Sequence, residues 1–424
     1  MSEKLKEFLK KIPGVHTVGS GCKQFIFDVM SIPNFLAERR ISRPDGPIRV
    51  GFLFHYIPAW HNTQGVYTLM KEDPRFEPYL ICIPSDISDP EAENDVHKWF
   101  LQEGYTEAIN ARQADGSWLD LQRLGLEYVF YSRPYDVLIP PEYASSRVCR
   151  YSKICAILYA ISMTKEIVSV TLNRDFFRNV SFYFAELPYN GKVNRKKGWL
   201  LHKLGLQESI YYGIPGIEEI FANKDRQSPA WDFSKNHFRA MWTPRWTTEL
   251  SLGGSNFFTF YKALLDYAQE NPDVDFLFRP HPLTLEHFQQ TGEMTKEEAD
   301  AFVARCNEIP NVSLDKEKEY LATFWNTDVL ISDVSGILPE YFATGMPLIF
   351  CAGNMILTPG ETLARILEGS YIVYTEEELF RCIQMLKSGE DPLAGKRAEI
   401  VRELYGDDFR HPAQKIVSYL AQKN

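Results

Sequence analysis

Short apolar runs alternate with amphipathic stretches along the chain from Ile48 onward. The run IRVGFLF, which begins at Ile48, is typical of a buried strand, and the stretch Thr63–Glu72 after it has helical spacing. The same alternation recurs further on, where VDFLF, beginning at Val274, follows an amphipathic helix predicted from Asn256. Strands that alternate with helices favour parallel sheets, so the chain is predicted to be an α/β protein.

The stretch Asp328–Phe350 shows this alternation most clearly, because it holds a strand, a turn, a helix and a second strand in a short span. Val329–Ile331 is the first apolar run, residues 332–336 break it, and helical spacing over Ile337–Ala343 continues until Gly345 ends it. In a parallel sheet this turn lies at the carboxyl ends of the strands, where open α/β sheets bind ligands.

The turn is predicted to bind a phosphate group. Ser335 is the expected N-cap, and a helix that begins at Ser335 or Gly336 leaves its first backbone N–H groups unpaired. Gly336 has no Cβ, so a phosphate could approach these groups closely. Glu340, one turn on, is a candidate acceptor for ribose hydroxyls, and Asp333 is expected to turn into the loop and order it. The alternative is that Ser335 is only a cap and Glu340 lies on a solvated face.

A second candidate site for phosphate follows the predicted strand VDFLF. Arg279 and His281 alternate with Pro280 and Pro282, and the prolines stop strand pairing where the two side chains emerge. The guanidinium of Arg279 fits phosphate oxygens, and His281 can donate hydrogen bonds to them. In a structural alternative, Arg279 pairs with an acidic neighbour.

The loop after the first strand is the candidate acceptor site. It carries His55 and His61 together with Tyr56 and Trp60 at the carboxyl end of the strand. His55 or His61 is a candidate general base. An ordinary structural histidine is the alternative for either position.

The pattern divides the chain into three parts. Residues 1–45 form an N-terminal helical segment, residues 46–232 an α/β domain on the acceptor side, and residues 233–424 an α/β domain for a nucleotide donor, with a helical tail. A polar stretch that contains Asp232, Ser234 and Lys235 is the predicted hinge. We expect the two domains to face each other across a cleft.

Two segments combine apolar side chains with lysine and arginine. Lys4–Lys11 has one apolar face surrounded by lysines, and Asn194–Leu206 mixes basic residues with Trp199 and leucines. Such segments can lie on an anionic membrane surface. Ordinary helices packed on a core are the alternative for both.

Composition narrows the class of protein. With 424 residues and 45% hydrophobic content, the chain is long enough for two cores. It has no apolar run long enough to span a bilayer and no signal-like N-terminal run, so we expect a cytoplasmic protein, with peripheral contact to the inner face of the plasma membrane as an option. Seven cysteines without CxxC spacing indicate buried thiols rather than disulfides or zinc ligands. A net charge of −10 argues against a nucleic-acid partner.

Several C-terminal motifs, taken in this order and spacing, resemble the CDP-glycerol glycerophosphotransferase family of teichoic-acid and capsule polymerases. They are WTPRW from Trp242, the helix near Phe257, FLFRPHP from Phe276, SDVSGILPEYFATGMPLIF from Ser332, and YTEEEL from Tyr374. The resemblance implies two facing Rossmann-like domains of the GT-B type.

The resemblance also implies a function. A polyol phosphate such as glycerol phosphate would move from a CDP-linked donor to a glycan or lipid-linked acceptor, with no resident cofactor and no metal site. Arg279, His281, Arg245 and the turn at Ser335 and Gly336 would hold the donor diphosphate. His281 is in addition a candidate catalytic residue, together with His55. The alternatives are a glycosyltransferase that uses a nucleotide sugar, a nucleotide-sugar epimerase on the same architecture, and a non-catalytic capsule-assembly subunit.

The chain departs from the family at three places. The well-known members carry a His-Gly-Thr-Pro segment whose histidine is regarded as the catalytic base, and the nearest position here, Tyr159-Ala160, has no histidine. Arg245 stands where capsule-type relatives often have histidine. The Asp-x-Ser-Ser pattern is here Asp333-Val334-Ser335-Gly336.

Overall fold

The chain forms two compact units, each built on a parallel sheet. The computed structural model describes residues 15–89, 93–172, 175–232, 236–281, 283–315, 320–406 and 411–423. The N-terminal unit consists of residues 1–159, 169–212 and 413–424, and the C-terminal unit of residues 160–168 and 213–412. Both predicted α/β domains are therefore present.

The strands of both units are short, and the inner strands are mostly buried while the edge strands are partly exposed, as apolar runs between helices predict. In the N-terminal unit they are β1 (Ile48–Phe54), β2 (Phe76–Cys82), β3 (Ile109–Asn110), β4 (Tyr128–Tyr131), β5 (Lys153–Ala156), β6 (Val180–Phe184) and β7 (Glu208–Ile210). In the C-terminal unit they are β8 (Phe238–Thr243), β9 (Val274–Phe278), β10 (Val312–Leu314), β11 (Val329–Ser332), β12 (Leu348–Cys351) and β13 (Tyr371–Val373).

Helices connect the strands. They are α1 (Val15–Glu38), α2 (Gln64–Glu72), α3 (Asp95–Gln102), α4 (Ser145–Val148), α5 (Lys165–Thr171), α6 (Pro188–Lys197), α7 (Trp199–Lys203), α8 (Pro215–Ala222), α9 (Phe257–Glu270), α10 (Thr284–Thr291), α11 (Lys296–Glu308), α12 (Leu321–Trp325), α13 (Leu338–Phe342), α14 (Glu361–Glu368), α15 (Glu376–Lys387), α16 (Ala394–Tyr405) and α17 (Pro412–Gln422).

The two sheets share one topology. The order is β3-β2-β1-β4-β5-β6-β7 in the N-terminal unit and β10-β9-β8-β11-β12-β13 in the C-terminal unit, and every pairing is parallel. In each sheet the chain first builds outward from one central strand and then returns to build on its other side. The strand order therefore reverses between β1 and β4 and between β8 and β11, and we call each reversal a switch point. Ligands of open α/β sheets bind at the carboxyl ends of the strands there.

The division into units corrects the predicted boundaries. The helical tail was assigned to the C-terminal domain, but Ile416 and Leu420 of α17 lie in the core of the N-terminal unit, and Tyr128 donates a hydrogen bond to the Leu420 carbonyl over 3.1 Å. Residues 213–232 belong to the C-terminal unit, where Trp325 donates to the Ile220 carbonyl over 2.6 Å. The predicted hinge at Ser234 and Lys235 lies outside the described residues.

One of the two basic amphipathic segments differs from its prediction, and the other is not described. The stretch Asn194–Leu206 is not one helix, because Gly198 separates α6 from α7 and its backbone N–H bonds to the Asn194 carbonyl over 2.9 Å. The segment Lys4–Lys11 lies outside the described residues. Among the helices of the described residues, none is long and apolar enough to cross a membrane.

Candidate functional site

Asp333 is the buried centre of the switch point in the C-terminal unit. It follows β11 and is 1% exposed. One carboxylate oxygen accepts hydrogen bonds from the backbone N–H groups of Arg245 (2.9 Å) and Asn256 (3.2 Å) and from the Ser255 hydroxyl (3.3 Å), and the other accepts from the Asn256 side-chain amide (2.8 Å). Burial raises the pKa of Asp333, while these hydrogen bonds act in the opposite direction. These are the contacts that a loop-ordering carboxylate needs, since they join the loops that follow β8 and β11.

Arg245 follows β8 and lies against the same loop. Its Nη1 donates to the Val334 carbonyl over 2.7 Å, whereas its buried Nε has no hydrogen-bond partner among the described residues. A Cβ at Gly253, which has φ +117°, would lie 2.6 Å from that Nε. Burial lowers the pKa of Arg245, with the charge of Asp333 opposing the shift. The position thus holds a positive charge with one unused donor.

Arg279 follows β9, the neighbour of β8, and its backbone N–H donates to the Trp242 carbonyl over 2.8 Å. Its guanidinium pairs with Asp315, whose side chain is 1% exposed, and lies 4.8 Å from the ring centre of Tyr320. The sequence left open whether Arg279 binds an anion or pairs with an acidic neighbour. The pairing with Asp315 is present, as in the structural alternative, and the guanidinium keeps its positive charge at the end of β9.

His281 lies two residues further on and is exposed, with its ring 6.3 Å from that of Trp246. Desolvation by the surrounding loops, and then the charge of Arg245, lower the pKa of His281. Its Nδ1 accepts a hydrogen bond from the Leu283 backbone N–H over 3.2 Å. In the neutral ring the proton is therefore on Nε2, which makes His281 a hydrogen-bond donor at neutral pH rather than a base. The neighbouring Pro282 lies outside the described residues.

The predicted cap at Ser335 is wrong. The helix α13 begins at Leu338, its N-cap position is Ile337, and no side chain caps it. Ser335 instead accepts a hydrogen bond from the Ile337 backbone N–H over 3.5 Å, as in a local turn. Gly336 packs closely against Ala160 of the same unit, because a Cβ at Gly336 would lie 3.3 Å from the Cβ of Ala160.

Glu340 does not lie on a solvated face. It is 2% exposed and accepts a hydrogen bond from the hydroxyl of Tyr320 over 2.8 Å. Direct contact with a ribose would need an exposed carboxylate, so this burial disfavours the predicted ribose role. Glu340 instead orients the tyrosine that stacks on Arg279.

His55 lies at the switch point of the N-terminal unit and is 1% exposed. Its Nε2 accepts a hydrogen bond from Arg133 Nε over 3.1 Å, so the neutral ring carries its proton on Nδ1, which donates to the Ser132 hydroxyl over 3.0 Å. Burial, followed by the charge of Arg133, lowers the pKa of His55 to about 3. With its lone pair occupied and its basicity suppressed, His55 has the properties of a structural histidine, and they disfavour a role as base.

His61 and Tyr159 lie in the same unit as His55, and Tyr159 is the position compared above with the His-Gly-Thr-Pro segment. The Asn62 amide contacts His61 Nε2 over 2.8 Å and donates to the Tyr159 carbonyl over 3.2 Å. At Tyr159 the hydroxyl contacts that of Tyr135 over 3.0 Å. A tyrosine pair thus lies at Tyr159, and the described contacts at this position involve no histidine side chain as hydrogen-bond partner of its hydroxyl.

Sequence reasoning missed Arg133, although a signal was available. Arg133 follows β4 and precedes a proline, as Arg279 follows β9 and precedes a proline. Tyr320 and Asp315, the partners of Arg279, were also missed, and only the three-dimensional fold identifies them. Among the described residues, no group of three or more His, Cys, Asp and Glu side chains could hold a metal ion.

Comparison with known proteins shows the fold. No family model matches the chain, and no curated protein matches it significantly. Solved structures do match. One is UDP-GlcNAc 2-epimerase from Neisseria meningitidis bound to UDP-GlcNAc, to which the chain is 14% identical with a TM-score of 0.59. The match covers 89% of this chain and 100% of the epimerase chain. The chain is 12% identical to the wall teichoic acid polymerase TagF in a structure soaked with CDPG, with a TM-score of 0.53, over 96% of this chain and 97% of that one.

A third match has the same character. UDP-GlcNAc 2-epimerase from Methanocaldococcus jannaschii is 11% identical, with a TM-score of 0.53, over 88% of this chain and 100% of that one. At these identities the likeness concerns the fold alone. The chain therefore has two Rossmann-like domains of the GT-B type, as the sequence predicted.

Proposed function

We propose that the protein is a transferase that moves a polyol phosphate, such as glycerol phosphate, from a CDP-linked donor to a glycan or lipid-linked acceptor. The observation that carries this proposal is the set of cationic or donating side chains Arg245, Arg279 and His281 at the carboxyl ends of the adjacent strands β8 and β9. A donor diphosphate needs such groups, because catalysis of phosphoryl transfer is largely positioning and charge neutralisation. The likeness in fold to a polymerase solved with CDPG supports the same class of donor.

In the proposed reaction an acceptor hydroxyl attacks the β-phosphorus of the donor. The bond from that phosphorus to the bridging oxygen breaks, CMP leaves, and the hydroxyl proton passes to a base or to solvent. Arg245 offers its unused Nε to the phosphate oxygens, and Arg279 contributes the positive charge of its guanidinium. His281, with its proton on Nε2, adds a neutral donor.

The geometry of His55 and His281, the two candidate catalytic histidines, disfavours a role as the base of this reaction. His55 is buried, and Arg133 occupies its Nε2. His281 has a proton on the nitrogen that faces away from its backbone partner. A loose transition state needs little help from a base, so this arrangement is compatible with phosphoryl transfer.

A donor screen tests the proposal. CDP-glycerol, UDP-GlcNAc and CMP are titrated into the full chain by calorimetry and thermal shift, since a ligand that binds the native state raises the melting temperature in proportion to affinity. We expect CDP-glycerol to bind and to release CMP when a glycerol-phosphate-ended acceptor is added. Failure of every CDP-linked donor to bind would refute the proposal.

A nucleotide-sugar epimerase is the second candidate. The match to the Neisseria meningitidis epimerase has a TM-score of 0.59, against 0.53 for the polymerase. An epimerase would convert UDP-GlcNAc in the absence of any acceptor, whereas a glycosyltransferase would need the acceptor and release UDP. Incubation of the protein with UDP-GlcNAc alone, followed by analysis of the sugar, separates these alternatives from the transferase.

We also propose peripheral contact with an anionic membrane through the N-terminal unit. Exposed apolar side chains on α1 and α7 meet there, and the ring of Phe25 stacks on that of Trp199 at 6.2 Å. Arg195, Lys196 and Lys197 close the preceding helix α6, so a basic rim adjoins an apolar surface. Flotation with phosphatidylglycerol vesicles should recover the protein, and Trp199→Ser should weaken that recovery. Equal recovery with neutral vesicles would contradict the charge part of the proposal.

A further inference from the structure

We propose that the N-terminal unit binds an oxyanion, a phosphate or a carboxylate, at the terminal nitrogens of Arg133, in a site lined by Tyr56, Tyr135 and Tyr159. The anion site stands on its own geometry. Its assignment to the acceptor substrate rests on the proposed function, and it would make the preferred acceptor a sugar or polyol that carries a negative charge close to its reacting end.

The location of Arg133 is the first argument. It follows β4 by two residues, and His55 and Tyr56 directly follow the neighbouring strand β1. The strand order reverses between these two strands. The carboxyl edge at such a reversal is where open α/β sheets bind ligands, and the function proposed for Arg245 and Arg279 uses only the edge of the other sheet.

The way in which Arg133 is held is the second argument. Its Nε donates to His55 Nε2 over 3.1 Å, and its guanidinium carbon lies 4.2 Å from the ring centre of Tyr56. These two contacts fix the plane and the direction of the guanidinium. The two terminal nitrogens remain, and neither is hydrogen-bonded to a described residue. A rigid pair of parallel donors suits a bidentate oxyanion.

Charge is the third argument. Among the described residues no carboxylate pairs with Arg133, and its hydrogen-bond acceptor is a neutral imidazole rather than an anion. Burial lowers the pKa of Arg133, with the nearby tyrosines opposing the shift. A half-buried charge without a counter-ion is costly, so an anionic ligand would be stabilised there.

The tyrosines suggest what carries the anion. The ring of Tyr159 lies 5.7 Å from that of Tyr56, edge to face, and its hydroxyl contacts that of Tyr135 over 3.0 Å. Burial raises the pKa of both Tyr56 and Tyr159, so these hydroxyls stay neutral and can donate or accept. Aromatic faces combined with neutral hydroxyls fit a sugar or polyol.

Titration with three small probes tests the anion site. Glycerol 3-phosphate, glucuronate and glycerol are titrated into the full chain by calorimetry, first alone and then with saturating CMP, which occupies phosphate sites that belong to the donor. We expect at least one of the two anions to bind in the presence of CMP and glycerol not to bind. Stronger binding of glycerol 3-phosphate indicates a phosphorylated chain end, and stronger binding of glucuronate indicates an acidic sugar.

Variants assign the binding to Arg133. Arg133→Gln should weaken the preferred anion at least tenfold, and Arg133→Lys, which keeps the charge but loses the planar fork, should weaken it less. Arg147→Gln is the matched control, because Arg147 is an exposed arginine of the same unit. Unchanged affinity in Arg133→Gln, with a melting temperature near that of the parent, overturns the proposal. Equal binding of glycerol by the parent overturns it as well.

Transfer kinetics test the acceptor assignment separately. If CDP-glycerol is a substrate, Arg133→Lys should raise KM for an anionic acceptor about tenfold with kcat little changed, and should leave the donor Kd unchanged. An Arg133→Lys enzyme with a parental acceptor KM would refute the acceptor assignment while leaving the donor proposal intact. If the parent protein does not bind CDP-glycerol, the proposed function is refuted, while the anion site is still tested by the small probes alone.

Discussion

The two switch points have the same strand topology but differ in the charge of the residue at their centres. In the C-terminal unit a buried carboxylate, Asp333, follows β11 and accepts hydrogen bonds from the loop that follows β8. In the N-terminal unit the corresponding centre is His55, a buried neutral ring that accepts from Arg133. An anion at the first centre fixes the loops, whereas a neutral acceptor at the second leaves the charge of its arginine uncompensated. At one sheet edge the buried residue therefore orders the loops, and at the other it leaves a positive charge available to attract an anion.

The two units also share a feature. In each, an arginine that follows a strand and precedes a proline stacks on a tyrosine, at 4.2 Å for Arg133 on Tyr56 and 4.8 Å for Arg279 on Tyr320. They differ in the partner of the guanidinium, which is His55 in one case and the carboxylate of Asp315 in the other. Substitutions in both units test whether this difference in the partner of the guanidinium affects stability and ligand binding.

The largest expected effect is that of Asp333→Asn on stability. The side-chain NH₂ group of asparagine would face N–H or O–H groups that now donate hydrogen bonds to Asp333. We therefore expect the free energy of unfolding to fall by about 3 kcal/mol. Denaturant unfolding measures it. Glu390→Gln is the matched control, because Glu390 is exposed, and its loss should cost less than about 0.5 kcal/mol. A loss below about 1 kcal/mol for Asp333→Asn would mean that the carboxylate does not order the loops.

His55 should give the N-terminal unit a distinct dependence on pH. Its pKa in the folded state is about 3, below the usual value of 6.5, so below pH 6.5 the unfolded chain binds a proton that the folded chain excludes. The contribution of His55 to the free energy of unfolding is therefore fully present above pH 6.5. It decreases as the pH is lowered, by about 2 kcal/mol from pH 7.5 to pH 5. In His55→Gln this contribution is absent, so the stability gap between parent and variant should shrink by that amount. A gap that stays constant with pH would show that His55 titrates normally in the fold.

Arg279→Lys tests the donor side. Lysine keeps the charge that Asp315 requires but lacks the planar fork, so we expect donor affinity to fall about tenfold, or about 1.4 kcal/mol, with little change in melting temperature. Alanine is a poor choice here, because it would leave the buried Asp315 without this partner. Calorimetric titration with CDP-glycerol measures the effect, and Arg381→Lys, an exposed arginine of the same unit, is the control. Parental affinity in Arg279→Lys would remove Arg279 from the donor site.

The spacing of hydrophobic residues and the positions of turn and cap residues predicted most elements of the fold. The strand at Ile48, the helix at Glu361–Glu368 and the acidic cap of α15, where Thr375 and Glu378 form a capping box, follow from local sequence. The start of α13 was misplaced because Ser335 was taken as the cap, whereas the helix begins at Leu338 with Pro339 in its first turn, a position that suits proline.

Contacts between distant parts of the chain could not be predicted. The bond from Tyr128 to Leu420 joins residues 292 positions apart, and nothing local in either segment indicates it. The burial of Glu340 has the same origin, because it depends on Tyr320 arriving from another loop. Arg133 differs from these cases, since the strand, arginine and proline pattern that drew attention to Arg279 is present there as well.

The smallest expected effect is that of Tyr320→Phe, which separates the two things that Tyr320 does. Phenylalanine keeps a ring against Arg279 but removes the hydroxyl that donates to Glu340. The stacking contribution should survive, and the lost neutral donor should cost about 0.5–1 kcal/mol, or roughly two- to fivefold in donor affinity. Titration with CDP-glycerol measures it, and Tyr56→Phe, the stacked tyrosine of the other unit, should leave donor affinity unchanged. If Tyr320→Phe costs as much as Arg279→Lys, the arginine is positioned by the hydrogen bond to Glu340 rather than by the ring, and the likeness between the two arginine–tyrosine pairs is only geometric.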